Sequence, residues 1–159
     1  MKKFELTTES ITFLGRTLFR IKALISFGNV KAGELGGYIE KEGNLSHEGN
    51  AWVCDNARVC GDAWVYGDAR VCGDARVCDN ARVCGDADIA TISGFGSEYR
   101  TTTFFRTKND EIAVKCGCFY GTLAEFREKV KETHGDNRYA KEYLMIADLM
   151  EMHFRGEEE

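Results

Sequence analysis

The chain has 159 residues, 43% of them hydrophobic and 30% charged, with a formal net charge of −5. This length supports one domain or two small ones with a core that needs no staples. Residues 1–38 hold six basic and three acidic side chains, residues 39–95 five and ten, and residues 96–159 ten and thirteen, a balance that argues against duplex DNA binding on a basic face.

The opening residues lack the apolar run of a signal peptide, and no stretch is apolar over a membrane-spanning length. The expectation is a cytoplasmic protein without a membrane partner. Two strands are predicted first, at residues 4–6 and 17–24, where Leu18, Arg20 and Lys22 alternate with Phe19, Ile21 and Ala23; Leu14, Gly15 and Arg16 form the turn before the second. Residues 27–37, punctuated by Gly28, Gly33, Gly36 and Gly37, lead into the next block. Residues 1–38 are read as an N-terminal β cap, because the open end of a β-helix exposes apolar surface and unpaired backbone groups.

From position 51 to 86 the chain repeats every six residues: AWVCDN, ARVCGD, AWVYGD, ARVCGD, ARVCDN, ARVCGD. A fixed short period with one aliphatic and one small residue per unit predicts a parallel β-helix. Extended to residues 39–92, with Ile39 and Leu45 placed in the Ala slot, the period gives nine hexads, or about three coils of a left-handed β-helix. Ala and Val point inward, and the Gly/Asp and Asp/Asn pair turns each corner, where those residues tolerate unusual backbone angles. Residues eighteen apart then stack at about 4.8 Å. Residues 39–95 are read as this unit.

Beyond Gly96 the period is lost. Residues 101–107 and 111–118 read as a hairpin turning at Lys108, Asn109 and Asp110. Thr122 and Glu125 form a capping box that opens a helix with Leu123, Phe126 and Val130 on one face, ending at His134 and Gly135. A second helix follows at about residues 137–154, with Tyr139, Tyr143, Ile146 and Met150 as its apolar stripe, broadened by Leu144, Leu149 and Phe154; the tail at 155–159 is expected to fray. The fold class is thus mainly β, with a small α+β C-terminal part at residues 96–159.

The repeat block together with TTFFRTK at 102–108, VKCGCF at 114–119, GTL at 121–123 and ETHGDN at 132–137 resembles a family of small proteins encoded by bacteriophages and prophages. Openings similar to LGGYIEK at 35–41 and NLSHEGN at 44–50 belong to the same resemblance, which covers nearly the whole chain. It implies a phage accessory protein, and such proteins without enzyme motifs often inhibit host proteins or counter host defence.

Three functional readings follow. The leading one is a non-enzymatic binding protein that inhibits a host protein, using the outward Arg/Trp slot: Trp52 and Arg70 on one face, Arg58 and Arg76 on another, Trp64 and Arg82 on the third. Pairing of such faces predicts a homo-oligomer, a dimer or trimer. A second reading is a sponge for an anionic nucleotide signal, held by Ser97, Arg100, Thr102, Arg106, Lys108 and Lys115, with Arg106 and Lys108 sharing a strand face as a clamp. The third is an acyltransferase with His47 as its base. The corner carboxylates Asp55, Asp62, Asp68, Asp74, Asp79 and Asp86 form acidic rows that suit corners first and mimicry of a phosphate backbone second.

No cofactor or metal is expected. Cys116 and Cys118 fall on one strand face as small core residues, since a lone CxC pair is a weak zinc signature. Cys54, Cys60, Cys72, Cys78 and Cys84 share one repeat slot; stacking puts Cys54 over Cys72 and Cys60 over Cys78 within disulfide range, while a cytosolic setting favours reduced thiols.

Overall fold

The computed structural model describes residues 2–155; the tail at 156–159 lies outside the described residues. The N-terminal part is an antiparallel hairpin, β1 (Phe4–Phe13) and β2 (Arg16–Ala23), turned by Leu14 and Gly15 at positive φ and followed by β3 (Leu35–Ile39). Leu18, Ile21 and Ala23 are buried, not a strict alternation, because the β2–β3 register slips between Arg20 and Lys22.

Each hexad contributes a two-residue strand: β4 (Trp52–Val53), β5 (Arg58–Val59), β6 (Trp64–Val65), β7 (Arg70–Val71), β8 (Arg76–Val77) and β9 (Arg82–Val83). β4 pairs with β7, β5 with β8 and β6 with β9, all parallel and eighteen residues apart. Ala51, Ala57, Ala63, Ala69, Ala75 and Ala81 are buried, as are all six valines of the repeat. The corners also follow the expected chemistry: Asp55, Gly61, Gly67, Gly73 and Asp79, all in the fifth slot, have positive φ. These parallel pairs fall into separate small sheets, one of five strands in the order β1-β2-β3-β5-β8 and two of two strands, and do not merge into a closed coil.

The first coil departs from the extrapolated period. Ile39 pairs with Val59 and Leu45 with Val65, twenty residues away rather than eighteen, so both occupy the Val slot and not the Ala slot. An isoleucine or leucine does not fit where the other coils place a methyl group. The buried Asn44 instead sends its side-chain amide to the carbonyls of Gly61 (3.1 Å) and Ala63 (2.9 Å).

Both ends of the repeat are covered. At the first coil Lys3, 1% exposed, donates from Nζ to the carbonyls of Ala51 (2.7 Å) and Gly49 (3.3 Å). Burial lowers its pKa to about 8. At the other end lies a four-stranded antiparallel sheet of β10 (Ile89–Phe95), β11 (Arg100–Arg106), β12 (Ile112–Cys116) and β13 (Phe119–Thr122). The hairpin read from the sequence is its centre, and two further strands flank it. β11 runs against the last coil: the Thr103 hydroxyl accepts from the Arg76 amide (3.0 Å), and Ala81 bridges Thr107.

The two faces of this sheet serve two cores. Phe105 and Ala113 join the repeat's core, whereas Phe104 and Val114 pack under α1 (Leu123–His134) and α2 (Arg138–Arg155). The capping box of α1 forms, with Thr122 Oγ1 accepting from the Glu125 amide and Glu125 Oε1 from the Thr122 amide. Of the expected α2 stripe, Tyr143, Ile146, Met150 and Phe154 are buried, while Leu149 faces out beside Met145 and Met152.

Candidate anion-binding groove

The six residues expected to hold an anion are divided by the sheet. Thr102 is buried on its helix face, donating from Oγ1 to Cys116 Sγ (3.2 Å). Arg106 lies on that face too, and its guanidinium is consumed: Nε meets Asp88 Oδ1 (2.9 Å), Nη1 meets Asp110 and Nη2 donates to the Phe154 carbonyl (2.7 Å). Lys115 is only 2% exposed and donates from Nζ to the Gly117 carbonyl. Lys108 stands past the end of β11, its amide bonded to the Asn80 carbonyl. The Arg106–Lys108 clamp therefore does not form, because the strand stops between them. Ser97 and Arg100 do share a cleft.

The Arg/Trp slot is likewise uniform in sequence and divided in structure. Trp52, expected outward, is fully buried, its ring edge-on to Phe27 at 5.3 Å, because the N-terminal sheet folds over that face. Gly36 permits this cover: a Cβ there would come within 2.7 Å of the Trp52 ring. Trp64 is 39% exposed, stacked on Tyr66 at 3.9 Å with Arg82 at 6.0 Å. Lys41, Asp62 and Lys108 border the same patch. Arg70 is half-buried beside Cys72, Asp86 and Ile89.

The remaining slot residues, Arg58 and Arg76, lie in register on β5 and β8, and both guanidinium groups stand over the ring of Phe13, at 5.0 and 5.3 Å. A groove of 450 Å³ extends from Arg76 to Arg100, lined also by Asp74, Tyr99, Thr101 and Gly117. Among the described residues none of Arg58, Arg76 and Arg100 is in a salt bridge with a carboxylate. Burial, then the neighbouring positive charge of Arg58, holds the Arg76 pKa below the ordinary arginine value, with Asp74 opposing and Arg100 adding to the effect. The fold has gathered these cations around a groove whose one lining carboxylate, Asp74, salt-bridges none of them. Phe13 and Tyr99 were not singled out in the sequence; Phe13 fell outside both predicted strands, just before the turn at Leu14.

The repeat itself has a counterpart among known proteins. Residues 51–67 match the family model described as the YdcK beta solenoid repeat. The repeat is β-solenoid-like. No curated protein matches the chain. The groove thus lies where a β-solenoid-like wall of in-register arginines meets the non-repetitive sheet that ends it.

Other candidate chemistry is placed differently. His47 stacks on Phe4 at 4.2 Å, accepts the Lys3 amide at Nδ1 (3.1 Å) and faces Glu42 from Nε2 (3.2 Å), so both ring nitrogens are engaged within the fold. His134 ends α1. Cys118 is exposed, not core: Gly117 has positive φ and turns β12 into β13, so the two thiols do not share a strand face. Cys54 and Cys72 are joined as a disulfide across adjacent coils, with Cα atoms 4.6 Å apart, where reduced thiols were expected. Asp55 with these two sulfurs is the one group of three possible metal ligands among the described residues, and the disulfide engages both sulfurs. Cys60 and Cys78 are buried in contact, which pushes the Cys78 thiol up and the Cys60 thiol down. Among the described residues no helix is long and apolar enough to cross a membrane.

Proposed function

We propose that this chain is a non-enzymatic binding protein, of the phage accessory kind, that sequesters a phosphorylated ligand in the groove bounded by Arg76 and Arg100, with Arg58 in register beside Arg76. The same proposal takes the β-solenoid-like repeat as a left-handed hexapeptide β-helix of about three coils. What supports the binding reading is that Arg76 and Arg100 line one groove, with Arg58 in register beside Arg76, and that none of the three is salt-bridged, even to the lining carboxylate of Asp74. Arginines on a protein surface normally meet carboxylates or spread apart, and gathering them has an electrostatic cost that a bound oxyanion removes. Guanidinium groups also offer paired N–H donors that match phosphate geometry.

Titration calorimetry with sodium tripolyphosphate at low ionic strength tests this reading. Binding is expected, and Arg76→Met or Arg100→Met should weaken it about tenfold or more, as loss of a charge-assisted contact does. Lys108→Met, outside the groove, should leave it unchanged. Absence of heat with tripolyphosphate would overturn the reading.

A host-protein inhibitor is the second reading, favoured by Trp64, Tyr66 and Arg82 forming an exposed stacked patch of the composition that dominates protein interfaces. It now rests on Trp64 alone of the two tryptophans. Association through this patch also carries the oligomer expectation.

A further inference from the structure

Arg100 lines two recesses. One is the groove shared with Arg76; the other is a cleft of 340 Å³ between the β10–β11 turn, the β12–β13 turn and α1. We infer that this second cleft is the base-binding half of the site, so that the ligand is a nucleotide whose base lies in the cleft and whose phosphates pass Arg100 to reach Arg76. The inference rests on the anion-binding reading of the groove and assigns the ligand's organic part.

The cleft's lining is of a different kind from the groove's. Its floor is aromatic: Phe119 and Phe126 have ring centroids 5.8 Å apart, and Phe126 meets Tyr143 edge-on at 5.5 Å. The His134 ring lies nearly parallel to Tyr143 at 6.1 Å and is half-buried at the rim, as is Phe119. A planar heteroaromatic ring is the group that such surfaces take up through stacking and apolar burial. At the margin Ser97, Thr133 and Glu98 supply hydrogen-bonding groups; Glu98 accepts from a ring substituent that carries N–H. The cleft's volume is at the low end for small-molecule sites, which suits one base and not a peptide.

The join between the two recesses is built in. Gly117 takes positive φ, and a Cβ at that position would fall on the Arg100 guanidinium. The turn thus keeps the arginine at the boundary, its charge available to both sides. On the opposite wall the Tyr143 hydroxyl is bonded to the Phe95 carbonyl (3.2 Å) and lies against Gly96, where a Cβ would overlap it, so the β10–β11 turn that carries Ser97 and Glu98 is tied to α2. A single-stranded nucleic acid needs a succession of stacking platforms along a basic track. One cleft beside one groove fits a mononucleotide or dinucleotide.

Affinities of ATP, GTP, CTP and UTP are compared with that of tripolyphosphate by calorimetry on the whole chain, together with a deoxyadenosine decamer. At least one of the four nucleotides should bind about tenfold more tightly than tripolyphosphate, the gain expected from stacking one base. Phe119→Ala, and separately Thr133→Trp, which fills the cleft from an exposed helix position, should abolish this preference and leave tripolyphosphate affinity as it was. Unchanged tripolyphosphate binding also shows that each variant is folded. Equal binding of nucleotides and tripolyphosphate overturns the base cleft while the anion groove stands; failure of all of them removes both. A preference that survives both variants places the base elsewhere, and a decamer that binds more tightly than every nucleotide replaces the ligand with a nucleic-acid strand.

Discussion

Trp52 and Trp64 occupy the same slot of the same six-residue unit, yet one is buried and the other 39% exposed. Their hexads, AWVCDN and AWVYGD, share the first three residues and differ in the last three. What differs most is the neighbour laid on each face: Phe27 and Gly36 cover Trp52, whereas Trp64 has its own hexad's Tyr66, Arg82 of the next coil and a polar border of Lys41, Asp62 and Lys108. A repeat specifies its interior from within, because every Ala and Val meets its own copy one coil away. Its exterior is specified by whatever the non-repetitive ends bring to it.

Substitution at these two positions is the most severe test of that contrast. Trp52→Ala should cost about 3–5 kcal/mol, as truncating a fully buried aromatic does, and Trp64→Ala about 1 kcal/mol, both measured by denaturant unfolding. Equal costs would mean that the N-terminal sheet does not seal its face. A smaller effect is expected where α2 is pinned to the sheet. Arg106→Met loses the contacts to Asp88 and the Phe154 carbonyl, at about 1–3 kcal/mol, with faster amide exchange confined to the last turn of α2. Unchanged exchange there would return Arg106 to the list of free cations.

The smallest effect is a slope with pH. Burial lowers the Lys3 pKa from its ordinary 10.5 to about 8 in the folded chain, so between these values the unfolded state binds more protons and stability rises with pH; below about 8 both states carry the charge and Lys3 contributes no slope. Lys3→Met should lower the melting temperature and flatten the rise relative to the parent chain across that window. Parallel curves for the two proteins would show that Lys3 is not buried at the first coil.

Most of the interior was legible in the sequence. The Ala and Val slots, the Asp/Gly corners, the capping box at Thr122 and the hairpin turn at 108–110 each depend on residues close by in the chain, and each is found where the pattern puts it. Errors arise where position depends on something distant. β10 was hidden because Ile89 continues the repeat's pattern while pairing instead with Phe105. Ile39 and Leu45 were assigned by counting sixes, whereas side-chain volume decides their slot.

The candidate site failed in the same way. Arg106, Lys108 and Lys115 resemble a basic cluster only when read along the strand; the ion pair with Asp88 and the burial of Lys115 come from other segments. Arg58 and Arg76 were assigned to one row correctly, from the eighteen-residue stacking. That Arg100 extends the row could not be read locally, since it needs β11 to run against β8. Phe13 is a similar case, brought under two arginines by a hairpin far from them in sequence.

A ladder built from near-identical units has no internal way of knowing where it starts. Sliding the stack by one hexad would still set valine on valine and alanine on alanine, and the interior would barely register the error. The twenty-residue steps at Ile39 and Leu45, and the Asn44 amide that reaches the Gly61 and Ala63 carbonyls, belong to only one alignment. The imperfect first coil therefore acts as an index mark that selects a single register from several of nearly equal energy. The arginine row inherits its alignment with the C-terminal sheet from that choice, made at the opposite end of the repeat.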